Sequence, residues 1–529
     1  MSDGSAARIS STTAPGEQEG SPADLLPLPG LISGRHWLAR RDSLALARML
    51  AEQFDGLRNH PGCTIIKENM VRTVMHLRID AGTDLIVKHY RSRGPRDELK
   101  HLYMRTKASA EWRAAERLAR AGINAPRMRA MAVKRHGPIF QDAALVMDTI
   151  AGARSPLAFL HGDRPRRLLV LEQIAALCAN MHQHGIIHPD FHTGNLLAAE
   201  RPDGSLELHV IDLHAVTFSP WVRMIHRVRC MGFLVQTLGH LVANDELRHM
   251  CGHYAALAGL DAAATETFWA RAARAAHRGE RQTIAKRTTR CLKNTTRFTV
   301  EKHAGLTICR LRTIPRDAVL AAVAEHRANA AGATMRTSNA FCVREWLGRG
   351  LFRRSPARAA WLAANGLLVR GISTPEPLAM AEDRRSSFLI TRYEPNARPL
   401  PEVLREWADR GCPPADELAL AAAIADTVGK LHARTVDHRD LHAGSFLVEQ
   451  TAEGWKAGVV RTESVRFPTT LPRKARLAAL ARLNDLPACV SMRARAAFLR
   501  RYRTFDSCSL SRSDVRQIAR ATAAPGSTR

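Results

Sequence analysis

The stretch "HGIIHPDFHTGNLL", His184 to Leu197, sets three histidines, one aspartate and one asparagine among the apolar pairs Ile186–Ile187 and Leu196–Leu197. Polar groups placed beside such pairs cost free energy unless they are bonded or do chemistry. Asp190 and Asn195 lie five positions apart, with His188 two residues before Asp190. A second stretch, "RTVDHRDLHAGSFL", Arg434 to Leu447, nearly repeats the pattern, with Ser445 in place of the asparagine.

The likeness of the two stretches extends outward. "LHVIDLHAVTF" (208–218) aligns with "AGVVRTESVRF" (457–467), "LARAGINAPRM" (118–128) with "LLVRGISTPEP" (367–377), and "ALVMDTIAGAR" (144–154) with "FLITRYEPNAR" (388–398). Solenoid repeats recur every 20 to 50 residues, so an offset of roughly 250 means two copies of a whole domain. In the first copy, strand-like runs at 64–79 and 85–90 precede a helix at 107–121, "KASAEWRAAERLARA", which Gly122 and Pro126 end. The strand "AALVMDT" (143–149) then leads into helical sequence at 166–184. The opening loop follows, next to the short apolar strands "NLLAA" and "LHVIDL". A small sheet first, helices second and a polar loop between short strands give a two-lobed α+β layout.

The chemistry that fits is phosphoryl transfer, which needs charge on the nucleotide phosphates, Mg²⁺ to neutralise them and a base for the attacking hydroxyl. Kinases carry base and metal ligand in one loop, H-x-D-x-x-x-x-N. His188, Asp190 and Asn195 match it: His188 and Asp190 are the catalytic candidates, and Asn195 offers a hard oxygen to Mg²⁺. Asp212, ending "LHVID", is the second metal candidate. Lys88 in "IVKHY" suits the phosphate-binding lysine, with Glu111 on the next helix as its partner and Glu116 as rival. Met147, in "AALVMDT", is placed in the nucleotide site. Taken singly, such charges are usually solvated or capping residues; His192 reads equally as a loop brace or a substrate contact. Order and spacing together carry the reading. No G-x-G-x-x-G occurs between residues 60 and 80, so backbone amides helped by Lys67 or Arg72 would cover the phosphates. The missing glycine loop, and the absence of A-P-E before the basic stretch 221–241, argue against an ordinary protein kinase.

Bulk properties narrow the setting. The 529 residues carry 78 Lys and Arg against 50 Asp and Glu, a formal +28, which attracts phosphates, nucleic acid or an anionic membrane face. Aromatic residues are only 5%, with no stacking platform, and nucleic acid is not an expected partner. Ten cysteines without a C-x-x-C pair signal neither a zinc site nor a disulfide framework, so a reducing cytoplasm is the expected compartment. The N-terminus lacks the apolar core of a secretory signal. No apolar run reaches the roughly 18 residues of a spanning helix.

The segments "IVKHYRSRGPRDELKHLYMRTKASAEWRAAERLARAGINAP" (86–126) and "HPDFHTGNLL…VIDLHAVTF" (188–218) resemble the lipopolysaccharide kinase family, the Kdo/WaaP group of kinase-like enzymes. The resemblance covers roughly residues 60–245 well and the second copy more loosely. It implies two tandem protein-kinase-like bilobal domains and transfer of a phosphate from ATP to a sugar hydroxyl of the lipopolysaccharide inner core. It implies Asp190 as base, Lys88 with Glu111 as the phosphate-binding pair, and Asn195 with Asp212 as Mg²⁺ ligands. It also implies a cytoplasmic protein at the inner face of the inner membrane, with an anionic glycolipid and an anionic membrane as partners.

In the second copy, Arg344 stands at the lysine position, Ala360 at that of Glu111, Ser445 at that of Asn195 and Arg461 at that of Asp212, while Asp440 keeps the base position. A cation in place of a metal ligand repels Mg²⁺, so this copy reads as degenerate. The expected organisation is a disordered lead-in at 1–35, an active kinase-like domain at 36–285, a degenerate one at 286–515 and a disordered tail at 516–529. Rival readings are a small-molecule phosphotransferase, a protein Ser/Thr kinase and a non-catalytic scaffold.

Overall fold

A computed structural model describes residues 25–523 except 81, 93, 96, 99, 100, 102, 103, 330–334, 338–340, 349–354, 506 and 507. The chain divides into two compact units, Met1–Glu280 and Arg281–Arg529.

The first unit opens with β1 (Leu25–Pro27), β2 (His36–Arg40) and helix α1 (Leu44–Glu52), followed by β3 (Cys63–Asn69), β4 (Arg72–Arg78) and β5 (Asp84–Arg91). Helix α2 (Lys107–Arg120) precedes β6 (Met128–His136) and β7 (Ile139–Asp148). The seven strands form one sheet in the order β1-β2-β6-β7-β5-β4-β3, every neighbour antiparallel. β5 alternates as a strand covered on both faces must. Leu85 and Val87 join one apolar cluster with Trp37 and Leu50, whereas Tyr90 joins another with Trp112 and Leu118.

Helix α2 is capped by Thr106, whose hydroxyl accepts from Ser109 N at 3.2 Å. It ends where Gly122 takes φ +65°, a value costly for other residues. Its buried stripe Ala108, Glu111, Trp112, Ala115 and Leu118 follows three- and four-residue spacing, so the helix itself carries Glu111 inward.

The helical lobe of this unit begins with α3 (Arg164–Gln183), whose N-cap Asp163 accepts from Arg166 N at 3.0 Å. Then come β8 (Ile186–Ile187), β9 (Leu196–Glu200), β10 (Leu206–Val210) and β11 (Thr217–Phe218). β8 pairs with β11 and β9 with β10, all antiparallel, so the loop 188–195 is pinned at both ends. Helices α4 (Met224–Leu238), α5 (Asn244–Leu257) and α6 (Ala262–Thr289) follow, the last running through the division between the units.

The second unit repeats the plan. Its sheet holds β12 (Phe298–His303), β13 (Leu306–Leu311), β14 (Met335–Thr337), β15 (Phe341–Leu347), β16 (Pro377–Glu382) and β17 (Ser386–Arg392), in the order β12-β13-β16-β17-β15-β14. Among the described residues this is the first sheet's order with one edge strand fewer. Helices α7 (Arg316–Asn329) and α8 (Pro356–Val369) accompany the sheet. After β18 (Arg398–Pro399) come α9 (Leu400–Arg410) and α10 (Pro414–Ala433). The ladder β19 (Asp437–His438) with β22 (Val465–Arg466) and the hairpin β20 (Phe446–Thr451) with β21 (Gly454–Val459) frame the second loop. Helices α11 (Arg473–Leu483), α12 (Met492–Tyr502) and α13 (Arg512–Ala523) close the unit. The fold is thus α+β, two tandem protein-kinase-like bilobal domains.

Within the two terminal segments expected to be disordered, residues 25–35 and 516–523 are ordered. Residues 25–27 add β1 to the sheet, and Leu28 is buried with Trp37. Burial of leucine offsets the cost of ordering a proline-rich lead-in. At the other end α13 continues to Ala523 and buries Ile518. The remainder of those two segments, 1–24 and 524–529, lies outside the described residues.

Candidate active site

The two lobes of the first unit bring most of the singled-out residues together. Lys88 on β5 and Glu111 on α2 form a buried ion pair, their side chains 10% and 1% exposed. The Tyr90 hydroxyl donates to the other Glu111 oxygen at 2.7 Å. Glu116, the rival, is spoken for elsewhere: it pairs with Arg40. Burial and the Glu111 charge push the Tyr90 phenol well above its usual value, so it stays a neutral donor.

Asp212 lies two residues beyond the end of β10 and takes the left-handed region, at φ 60° and ψ 48°. That conformation is uncommon for a residue with a side chain and marks sites where backbone strain is held by the surroundings. Its Oδ1 accepts from Arg72 Nη1 at 2.9 Å and meets His214 Nδ1 at 2.8 Å. Burial works to raise its pKa, but the His214 hydrogen bond and the Lys88 and Arg72 charges outweigh that and hold it well below the usual carboxylate range. One ligand atom each of Glu111, Asp212 and His214 lies within 4.8 Å of the others.

The loop is built from its own side chains. Asn195 Nδ2 donates to Asp190 O at 2.9 Å, which leaves its Oδ1 without a hydrogen-bond partner among the described residues. His188 is buried; its Nδ1 accepts from Asp190 N at 3.3 Å and its Nε2 faces Ile211 O at 3.4 Å. Burial lowers its pKa, so the imidazole is neutral near pH 7 and serves as a post for the loop. His192 Nδ1 accepts from Gly194 N at 3.0 Å, which makes it a brace; its Nε2 also lies 3.5 Å from Asp190 Oδ2. The Asp190 side chain is 64% exposed, open to an incoming group. Met147 lies opposite Ile86, on the sheet face that carries Lys88; it is 2% exposed and packs in the apolar cluster with Leu145 and Ile123.

Where a glycine-rich loop was missing from the sequence, β3 and β4 are joined by a tight turn. Asn69 Oδ1 accepts from Val71 N at 3.0 Å and Arg72 N at 2.8 Å. The turn sets Arg72 at the start of β4, from where it reaches Asp212. Sequence reasoning missed Tyr90 and His214. The strand period signals Tyr90, two residues from Lys88 and so on the same face; the two-residue interval from Asp212 signals His214, a spacing common for local side-chain contacts.

Magnesium fits these residues. Asn195 Oδ1 and Asp212 Oδ2 have no protein partner among the described residues, both are hard oxygens, and the Asp212 carboxylate is held ionised.

The second unit keeps the framework and changes the charges. Arg461 takes the same left-handed conformation, φ 55° and ψ 43°, and reaches Asp440 Oδ2 at 3.5 Å. Arg344 turns to Glu463 in a bidentate pair at 2.7 and 3.1 Å. Ser445 Oγ donates to Asp440 O at 2.7 Å, the bond that Asn195 makes in the first unit. His442 Nδ1 accepts from Gly444 N at 3.0 Å as His192 does from Gly194 N.

Charge for a nucleotide's phosphates, oxygens for a dication and an open carboxylate beside them are what phosphoryl transfer asks for, and by class the chain falls in a family of kinases. More narrowly, it belongs to the lipopolysaccharide kinase (Kdo/WaaP) family, whose model matches residues 68–218 and 343–502, more than half of the chain. It is 28% identical over 157 residues to the lipopolysaccharide core heptose(I) kinase WaaP of Pseudomonas aeruginosa. That match takes in 28% of this chain and 59% of the relative, so the chain spans less than two thirds of the length of that protein. Among solved structures, WaaP in complex with acyl carrier protein overlaps with TM-score 0.33 at 20% identity, over 42% of this chain and 92% of that one. The Rio2 kinase–ADP/Mg²⁺–phosphoaspartate complex from Chaetomium thermophilum overlaps with TM-score 0.28 at 17% identity, over 45% and 76%. Overlaps this partial carry no weight beside the strand order and the loop geometry.

Proposed function

We propose that the first unit transfers the γ-phosphate of ATP to a sugar hydroxyl of the lipopolysaccharide inner core or of a related envelope glycolipid. The observation that carries this reading is the buried Lys88–Glu111 pair with Asp212 beside it, in a chain of this family. Lys88 binds the nucleotide's phosphates, and Glu111, held by Tyr90, keeps the ammonium in place. Asn195 and Asp212 would hold Mg²⁺, which would neutralise phosphate charge. Asp190 accepts the proton of the acceptor hydroxyl, and His188 fixes the backbone that carries it. Met147, on the sheet face that carries Lys88, backs the nucleotide site from the core.

The second unit is a degenerate copy. Arg344 and Arg461 are both engaged by carboxylates of their own unit, and Ala360 supplies no partner for a phosphate-binding cation. On this reading the first domain takes in β1 and runs to Glu280, and the second runs from Arg281 through α13. The acceptor is anionic and membrane-held, which the formal +28 suits. Among the described residues no helix is long and apolar enough to cross a membrane. We place the chain in the cytoplasm, at the inner face of the inner membrane. Mass spectrometry of envelope glycolipids from cells carrying Asp190→Asn tests the proposal: one phosphate group is lost from the acceptor if it holds, and an unchanged glycolipid profile overturns it.

A further inference from the structure

Between Ser219 and Arg229 the first unit shows solvent an apolar surface that its fold does not need. Trp221 is 80% exposed, Ile225 69% and Met224 37%. A tryptophan and two aliphatic side chains held in water lose the free energy that burial would return, and such a patch marks an interaction site. It is rigidly presented. Ser219 N donates to Gly185 O at 2.8 Å, and a Cβ on Gly185 would lie 2.1 Å from Ser219 O, so only glycine allows that approach. Arg227 Nε donates to Val222 O at 3.1 Å and locks the turn into α4.

The charge along this stretch is of one sign. From Leu213 to Asn244 the sequence holds no aspartate or glutamate. Arg223 and Arg229 are exposed, and neither makes an ion pair among the described residues. Arg229 lies over the Phe233 ring at 5.6 Å. Ile225 and Arg229, four residues apart on α4, share a face of the helix. Exposed tryptophan and aliphatic groups flanked by unpaired arginines match the boundary of an anionic bilayer, where indole sits at headgroup level and guanidinium meets lipid phosphate.

The patch also lies within reach of the catalytic loop. β8 and β11 form a two-residue ladder; Asp190 follows one strand by three residues and Trp221 follows the other by three, at opposite ends. Chain length alone bounds their separation at about 30 Å. That reach suits an acceptor sugar joined to lipid by a short saccharide.

We propose that Trp221, Met224 and Ile225, with Arg223 and Arg229, form a membrane-docking surface that seats the first unit on an anionic lipid face. This rests on the glycolipid reading for its purpose but is separable from it by experiment. The full chain is mixed with vesicles of phosphatidylcholine alone and with added phosphatidylglycerol, and sedimentation and tryptophan fluorescence are read together with Mg²⁺-dependent ATP binding. The wild type should sediment with the anionic vesicles only, with blue-shifted fluorescence. Trp221→Ser/Ile225→Ser and Arg223→Gln/Arg229→Gln should each partition about tenfold more weakly while binding ATP as the wild type does, which also reports that they fold. Partitioning of either double variant equal to that of the wild type overturns the proposal. So does wild-type indifference to lipid charge, or capture by an acidic protein in place of vesicles. Loss of ATP binding by the wild type with vesicle partitioning intact would instead sink the phosphotransferase reading and leave the docking surface standing.

Discussion

In the first unit a lysine and a glutamate meet in the interior, and the strand-end position holds an aspartate; in the second the same two places hold arginines, each turned to a carboxylate. Around these differences the strand order and the loop frame are kept. Asp212 and Arg461 share one left-handed conformation, and His192 and His442 brace the same loop. His182 and His432 each accept or donate a 2.7 Å bond with a tyrosine of a later helix, Tyr254 and Tyr502, in near-perpendicular ring contacts. Both units keep the left-handed backbone and the histidine posts, so these belong to the fold. On the function proposed above, Lys88, Glu111, Asn195 and Asp212 carry the chemistry; the second unit holds Arg344, Ala360, Ser445 and Arg461 at those positions.

The sharpest way to break this division is at the base. Asp190→Asn should lower phosphate transfer by about a thousandfold, whereas Asp440→Asn should leave turnover unchanged; radiolabelled ATP and extracted envelope glycolipid measure both. Next comes Glu111→Gln, which strands Lys88 in the interior. Calorimetric unfolding should show the first unit destabilised by about 3 kcal/mol.

The shared histidine–tyrosine pair gives a pH prediction. Burial first, and the Arg476 charge second, lower the His432 imidazole to about 3. Its folded value lies below its unfolded value of about 6.5, so protonation favours unfolding. Its contribution is fully present above about pH 6.5 and is lost as pH falls toward the folded value, about 2 kcal/mol by pH 5. His432→Gln should flatten that part of the acid-unfolding profile. The smallest effect is expected at Arg344→Gln: its pair with Glu463 is 28% and 20% exposed, and losing it should cost about 1 kcal/mol or less.

Much of this was legible in the sequence because it is local or periodic. The loop spacing located Asp190 and Asn195, and helical periodicity carried Glu111 to the inner face of α2. The tandem copy was visible as aligned runs, and both sheets then show one strand order. What escaped was long-range or brief. Arg72 and Asp212 are 140 residues apart, and no pattern within β4 points to the pairing. β1 has three residues, too few for periodicity, and forms because β2 offers an edge. The last helix carries a local signal: Ser511 and Asp514 form a reciprocal cap, with Ser511 N donating to Asp514 at 2.8 Å and Asp514 N to Ser511 at 3.2 Å.

The division between the units is tested most directly by titrating ATP into the intact chain in a calorimeter, with and without Mg²⁺. One Mg²⁺-dependent site per chain, abolished by Asp212→Ala and untouched by Arg461→Ala, is the predicted result. Two sites per chain, or a single site that survives Asp212→Ala and disappears with Arg461→Ala, would contradict it.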